Sequence, residues 1–441
     1  MTQHTAAGAP LSAPLSIIVI GAGPGGLLLA QGLRKHGFAV AVYERDAART
    51  DYLQGFRLQI RSRGIAALQD CLPPELYQAF ASTYARAPDE YAVLSEQLEE
   101  LPRIVSDPDL ENSEREKSVS RITLRQVLLA GLDGVIHYGK TYERYEERAD
   151  GKVVAYFSDG SSVVGDLLVG ADGANSRVRR QLLPQARWVD TGARRLAGKI
   201  ALTEDVRRAV PPDFYRKTVS VKSSGGFNLF FTSHEFRPGQ EALGPIGAED
   251  RAALAEHEGL LFDNGKSYIM WALSGRAEQL PPDDELFAYD GPQLRAFVNR
   301  VVEGWHPVYR QLFDLSDTST LGVLPIRTSL PVEPWPTRRV TLLGDAIHSM
   351  TYFRALGANT AMADAALFLR ALLAWRDGGR HLLEALNDYE ARMLEHGFDA
   401  VRKSIAAFEQ AHSGSTRRDW ADVQSVPGQS LWVQSGKRHA A

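Results

Sequence analysis

The chain has 441 residues, 44% of them hydrophobic and 24% charged. That is ordinary for a globular protein and long enough for a core divided between two substructures. A formal net charge of −4 offers no basic field to nucleic acid or anionic lipid, and clusters such as Arg177/Arg179/Arg180 and Arg194-Arg195 read as local, solvated faces. The single cysteine, Cys71, excludes an intramolecular disulfide and a cysteine-based metal site and suits a reducing cytoplasm. No window reaches the roughly 18 uninterrupted apolar residues of a membrane span.

Residues 1–15, rich in Thr, Ala and Pro, read as a flexible leader without the basic n-region of a signal peptide. Ile17-Ile18-Val19-Ile20 suits a buried parallel strand. It runs straight into Gly21-Ala22-Gly23-Pro24-Gly25-Gly26 and a helix over Leu27–Arg34 that Gly37 can cap. Val40–Tyr43 is a second buried strand, ending at Glu44. Gly21 suits the tight turn, Gly23 a close approach to a pyrophosphate, and Gly26 close packing of helix on sheet. The helix start offers unpaired N–H groups to phosphate. Glu44 follows Gly21 by 23 residues, close to the roughly 20 expected of a carboxylate that binds an adenosine ribose hydroxyl. A 2′-phosphate would meet like charge there, so FAD or NAD fits and NADP does not. The competing reading is a glycine-rich turn with no ligand.

Further along, residues 99–118 read as an exposed charged loop. Arg121–Leu132 reads as a helix from its leucine spacing. The period then falls to two, and turns at Asp150-Gly151 and Asp159-Gly160 separate Tyr142–Arg148, Lys152–Ser158 and Ser162–Gly165 into a meander. Leu167-Leu168-Val169 returns to the buried sheet and opens Gly170-Ala171-Asp172-Gly173. Asp172 sits where open α/β sheets bind ligands, although it could equally cap the helix that follows. Residues 184–330 favour strands and loops, with Val219–Val221, Phe227–Phe231 and Tyr268–Leu273 the clearest. Alternation puts Phe227, Leu229 and Phe231 on one face, either core or pocket lining, and Trp271 shares that choice. Val340–Leu343 is another buried strand, leading to Gly344-Asp345-Ala346, where Asp345 can accept from sugar-like hydroxyls. Gly357-Ala358-Asn359 opens a helix to Trp375 whose N-terminus can face an anionic reduced flavin. A last helix covers His381–Ala411, and the tail from His412 lacks periodicity, as a disordered segment would. His137, His234 and His348 read as structural, and the histidines lack metal-ligand spacing.

The three motifs in this order point to bound flavin adenine dinucleotide, and the chain resembles the FAD-dependent monooxygenases built like p-hydroxybenzoate hydroxylase, the group A flavoprotein hydroxylases. The likeness runs over roughly residues 16–375. It implies an α/β fold: a Rossmann-like, glutathione reductase-type FAD-binding domain with an inserted β-sheet substrate domain and C-terminal helices. On this chain the FAD domain would take 16–183 and 331–411, the substrate domain 184–330 with parts of 50–118, and the tail 412–441. The resemblance also implies tightly bound FAD, NAD(P)H docking transiently, and O2 forming a flavin C4a-hydroperoxide that hydroxylates an aromatic or polycyclic small molecule, in secondary metabolism among other settings. Carried over by position, the cofactor residues are Gly21, Ala22, Gly23, Gly26, Glu44 and Arg45 for the ADP half. Asp172 would serve FAD and NAD(P)H, Asp345 the ribityl hydroxyls, and Gly357, Ala358 and Asn359 the flavin ring. Arg121 matches the helix-start arginine that reaches the cofactor, with a surface salt bridge as its alternative. Arg57, in Gly55-Phe56-Arg57-Leu58-Gln59-Ile60, matches the segment beside the isoalloxazine.

One departure stands out. Between the Gly344-Asp345 motif and the next helix, relatives usually carry proline and glycines; this chain has Tyr352, Phe353, Arg354 and Ala355. Glycine permits close backbone approach to a ligand, so either the two aromatics narrow the pocket or the loop has shifted. The departure bears on oxygen chemistry rather than on FAD binding. Two other functions therefore stay open: an FAD oxidoreductase that inserts no oxygen, and a binding protein that has lost its cofactor.

Overall fold

The computed structural model describes residues 15–47, 56–85, 88, 90–102, 117–236 and 266–412, and the backbone of 431–434 and 437–440. Two large sheets organise it. The first is parallel and five-stranded, built from β1 (Ser16–Ile20), β2 (Ala39–Tyr43), β6 (Ile136–His137), β10 (Leu167–Gly170) and β16 (Val340–Leu342), in the order β16-β10-β1-β2-β6. Its apolar runs are buried on both faces, as a parallel sheet requires, and Val19, Leu168 and Val340 expose nothing. The helix Pro24–Lys35 follows β1 with Pro24 in its first turn, where a missing N–H costs nothing. The helix Gly357–Gly378 buries Met362, Phe368 and Leu372 in the same core. By length and composition the segment Phe353–Gly378 could cross a membrane; here it is a central core helix. The helix Leu382–Ala411 packs against it.

The expected meander is present as a three-stranded sheet of β7 (Tyr142–Glu147), β8 (Val153–Phe157) and β9 (Ser162–Gly165), with Gly151 and Gly160 both at positive φ in its turns. A two-stranded ribbon pairs β3 (Arg57–Ile60) with β5 (Lys117–Ser120). The last residues of the segment read as an exposed loop are therefore a strand; residues 103–116 lie outside the described residues. The helix after it starts at Arg121 but stops at Leu129, with Ser120 Oγ accepting from the Thr123 N–H at 3.3 Å.

The second sheet has eight strands in the order β18-β17-β15-β11-β14-β13-β12-β4. These are β4 (Glu90–Ser95), β11 (Trp188–Ala201), β12 (Lys217–Lys222), β13 (Asn228–His234), β14 (Tyr268–Arg276), β15 (Asp317–Ser329), β17 (Leu431–Gln434) and β18 (Lys437–Ala440). β4 comes from the N-terminal half and pairs in parallel with β12. Two features depart from the sequence reading. Helices Gly291–Val301 and Pro307–Asp314 stand among strands, because Leu294, Phe297 and Val298 form an apolar stripe and Asp290 with Gln293 forms a capping box. The tail, read as aperiodic, returns as the β17–β18 hairpin on β15, held by backbone pairing that side-chain periodicity does not announce.

Each face of this sheet has its own role. Leu196, Ile200, Leu229, Phe231, Trp271 and Leu273 point into a core shared with the two helices. Trp271 stacks edge-on against Phe313 and donates to Ser316 Oγ at 2.8 Å, so the aromatic face is core rather than pocket lining. The opposite face carries Arg195, Ala197 and Lys199 of β11, paired in register with Ser274, Ala272 and Met270 of β14.

Candidate cofactor and substrate site

Four adjacent parallel strands end together. Ile20 pairs with Tyr43 and with Gly170, and Gly170 pairs with Leu342. The glycine-rich loop, Glu44, Asp172 and Asp345 therefore all leave the same edge of the sheet, at its C-terminal end, where doubly wound sheets take their ligands.

Gly21 has φ +105 and a Cβ there would collide with the Ala171 carbonyl; one on Gly26 would collide with the Gly21 carbonyl. A Cβ on Gly23 would meet no atom within 4 Å, so this glycine faces open space, as the approach of a pyrophosphate requires. Ala22 is pinned from two sides. Its N–H donates to Glu44 Oε2 at 2.6 Å, and its carbonyl accepts from Arg125 Nη1 at 2.7 Å. Glu44 is buried and its other oxygen accepts the Asp46 N–H at 3.1 Å; each oxygen keeps capacity for a further donor. Arg45 is exposed just beyond it. The sequence reading did not single out Arg125. Its Nε and Nη2 are buried without a hydrogen-bond partner, and Nη2 stands 4.0 Å from Asp46.

Asp172 does cap a helix: Oδ2 accepts from the N–H groups of Arg177 at 2.7 Å and Val178 at 3.3 Å. Its Oδ1 is buried with no partner among the described residues, and desolvation pushes its carboxyl above the usual range. One orphaned acceptor is thus left for a ligand hydroxyl. Arg179, buried, links the second and third motifs by donating to the Ala174 and Ala346 carbonyls, each at 2.9 Å. Asp345 is accessible at its surface yet enclosed enough for desolvation to push its carboxyl upward, against the fields of His348, Arg121 and Arg179. That places Arg121, itself exposed, within the electrostatic reach of Asp345. A Cβ on Gly357 would lie 3.8 Å from Asp345 Oδ1, and the helix beginning there has no side-chain cap and no acid in its first turn. These open donors and acceptors fit the phosphates, ribityl chain and pyrimidine ring of FAD.

Asn359 is committed elsewhere. Its Nδ2 donates to the Gln59 and Ala355 carbonyls at 2.8 and 3.0 Å, and its Oδ1 accepts the Arg61 N–H at 2.8 Å. The side chain clamps β3 to the helix start, leaving only its backbone for a ligand. Arg57 Nη1 donates to Ser118 Oγ at 3.0 Å, and that hydroxyl lies 2.9 Å from Nδ1 of the buried His234. In the unusual loop, Arg354 and Ala355 take φ of +69° and +50°: the backbone keeps a conformation natural to glycine although glycine is absent. Tyr352 faces the sheet, with the Arg195 guanidinium 4.2 Å from its ring centroid.

Residues 19–58 match the NAD(P)-binding Rossmann-like domain family and residues 318–404 the FAD binding domain family. A solved structure from Photorhabdus luminescens, assigned as an FAD-containing monooxygenase, superposes with a TM-score of 0.77 at 31% identity, covering 91% of this chain and 100% of that one. This chain belongs to the FAD-dependent monooxygenases. Its class is the p-hydroxybenzoate hydroxylase-like one, and FAD is its cofactor. The dual O-methyltransferase/FAD-dependent monooxygenase elcB of Phaeosphaeria nodorum is 30% identical over 375 residues, 80% of this chain but 39% of that protein. The chain thus spans about two-fifths of that relative's length. The FAD-dependent monooxygenase thnD of Trichoderma harzianum is 25% identical over 430 residues, 93% of this chain and 94% of that protein.

Two calls about charge need correcting in this monooxygenase. Arg194-Arg195 is no solvated run: Arg194 is 7% exposed and bonds Asp190 and Asp283, while Arg195 turns to the opposite face of the sheet. Lys199, 3% exposed, was not singled out. A strand alternates its faces whatever lies beyond them, so the sequence alone could not say which face meets the cofactor.

Proposed function

We propose that this monooxygenase consumes NAD(P)H and O2 to insert one oxygen atom into an aromatic or polycyclic small molecule. The substrate would lie between the C-terminal edge of the parallel sheet and the polar face of the antiparallel one. The observation that carries this reading is the cation-and-aromatic surface formed where Arg195 meets Tyr352, directly above the loop that joins Asp345 to the helix Gly357–Gly378. Bound FAD would supply the redox chemistry, taking two electrons from the nicotinamide and leaving one atom of O2 in the substrate and the other in water.

The chain's own residues bind and enclose. Glu44 would hold the adenosine ribose, the start of the helix Pro24–Lys35 the pyrophosphate, and Asp345 the ribityl hydroxyls. The uncapped N-terminus at Gly357 favours negative charge on the flavin pyrimidine. Tyr352, Phe353 and the antiparallel sheet keep water from the reacting face, which protects reactive intermediates. With the one glycine-rich phosphate loop committed to FAD, NAD(P)H would dock at the surface and weakly. A compound screen for accelerated NAD(P)H oxidation in the FAD-loaded protein tests the reading. Compounds that raise both nicotinamide and oxygen consumption support it. Failure of any aromatic compound to do so counts against it.

A further inference from the structure

On the cofactor-facing side of the antiparallel sheet, two cations rise from one strand into a group of aromatic rings. The Arg195 guanidinium stands 4.2 Å from the Tyr352 centroid and 5.5 Å from that of Phe56. Lys199, four residues on and hence on the same face, brings Nζ to 5.4 Å from Phe56 and 4.9 Å from Tyr268. Both heads therefore bear on one ring, at the place where the sheet covers β3 and the Tyr352 loop.

The charge here is unbalanced. Arg195 Nε is buried without a hydrogen-bond partner, and no carboxylate among the described residues pairs with this side chain. Burial pushes its pKa down, and Tyr352 is the one neighbour that opposes the shift. Arg194, next along the strand, shows the contrast, with Asp190 and Asp283 both bonded to it. The charges acting on the adjoining His234 come from Arg57 and Lys199, again cations. A desolvated guanidinium without a counter-ion is costly, and contact with ring faces offsets only part of that cost.

We propose that Arg195 and Lys199 together receive the anionic group of a flat aromatic substrate, a carboxylate or an ionised acidic hydroxyl, whose ring stacks among Phe56, Tyr268 and Tyr352. The proposal rests on the monooxygenase reading of the same site and adds its substrate class. Arginine suits the role because its fork presents paired donors to two oxygens while its face stays on an aromatic ring. Anchoring the anion on the sheet turns the other end of the substrate toward the cofactor.

The test is a binding titration on the FAD-loaded protein in its oxidised form, without nicotinamide, followed by flavin absorbance and by calorimetry. One arm compares naphthoate with naphthamide, the other lawsone, ionised at neutral pH, with its methyl ether. In at least one arm the anion should bind about ten- to a hundredfold more tightly than its neutral partner, as charge-assisted hydrogen bonds predict. The arm that shows it identifies carboxylate or acidic hydroxyl as the group received. Arg195→Gln should abolish that preference, Lys199→Gln should weaken it, and Arg195→Lys, which keeps the charge and guards against a folding defect, should retain part. FAD affinity should not change in any of the three. If neither anion outbinds its neutral partner, or if Arg195→Gln keeps the preference, the inference is overturned. A wild-type protein that takes up no FAD would instead defeat the functional reading, before any titration begins.

Discussion

His348 donates from Nε2 to Asp364 at 2.7 Å, and neither side chain reaches solvent. The same carboxylate accepts from His396 Nε2 at 2.6 Å and from the Gly344 N–H at 2.8 Å. One acid of the helix Gly357–Gly378 thus fixes the turn from which Asp345 projects. Asp364→Asn would leave His348 without its counter-charge, and breaking a buried pair from one side costs about 3–5 kcal/mol. Urea unfolding of the FAD-loaded protein checks this, and a loss below about 1 kcal/mol would mean the cluster is not what holds the turn.

The cluster also sets a pH window. Asp364 holds His348 above its ordinary 6.5 despite burial, while His348 and its partners draw Asp364 down to about 2 from 3.8. A raised histidine contributes fully below 6.5 and loses that contribution as pH rises through its folded value; a depressed carboxylate loses its contribution as pH falls from 3.8 toward 2. The stability difference between wild type and His348→Gln should therefore be widest near pH 5 and shrink above 6.5. A difference that grows with pH would reverse the assignment of charge to His348.

Asp345→Ala should weaken FAD binding by about one to two decades, the worth of a charge-assisted hydrogen bond to a ribityl hydroxyl. Quenching of flavin fluorescence on titration into apoprotein reads this directly. Unchanged affinity would remove Asp345 from the cofactor site.

Ala355 stands at φ +50° and Arg354 at +69°, where an L-residue is disfavoured by about 1–2 kcal/mol and glycine is not. Part of that gain is lost to the greater freedom of glycine in the unfolded chain. Ala355→Gly should accordingly stabilise the protein by about 0.5–1 kcal/mol, visible as a higher Tm. A lower Tm would mean the Ala355 side chain makes contacts worth more than the strain.

Tyr352 lies against Arg195, with Ser274 as a hydrogen-bonding neighbour of its phenol. Tyr352→Ala should open the reacting face to water and raise the hydrogen peroxide released per NAD(P)H consumed, measured with a substrate that the wild type couples well. FAD affinity should barely move, since Glu44 and Asp345 are untouched. Unaltered coupling would place this side chain away from the chemistry.

The cofactor half was the legible half. Strand, glycine turn and terminal acid are local patterns, and a parallel sheet brings successive strand ends to one edge, so Gly21, Glu44, Asp172 and Asp345 converge without further information. Asn359 shows the limit of motif matching: its position is the expected one, but its amide is occupied by Gln59, Arg61 and Ala355. The substrate half was opaque because the role of a face depends on what packs against it. Phe231 and Trp271 read as candidates for the pocket, yet the helices Gly291–Val301 and Pro307–Asp314 claim that face for the core. Arg195 and Lys199 read as ordinary surface charge, because no local pattern records that β11 is covered.

Oxygen-18 labelling tests the central claim most directly. With a substrate found by the NAD(P)H-oxidation screen, turnover under labelled O2 in ordinary water should place one labelled atom in each molecule of hydroxylated product. Product without label, or label that appears only when the water carries it, would contradict oxygen insertion and leave an FAD enzyme that oxidises or reduces without it.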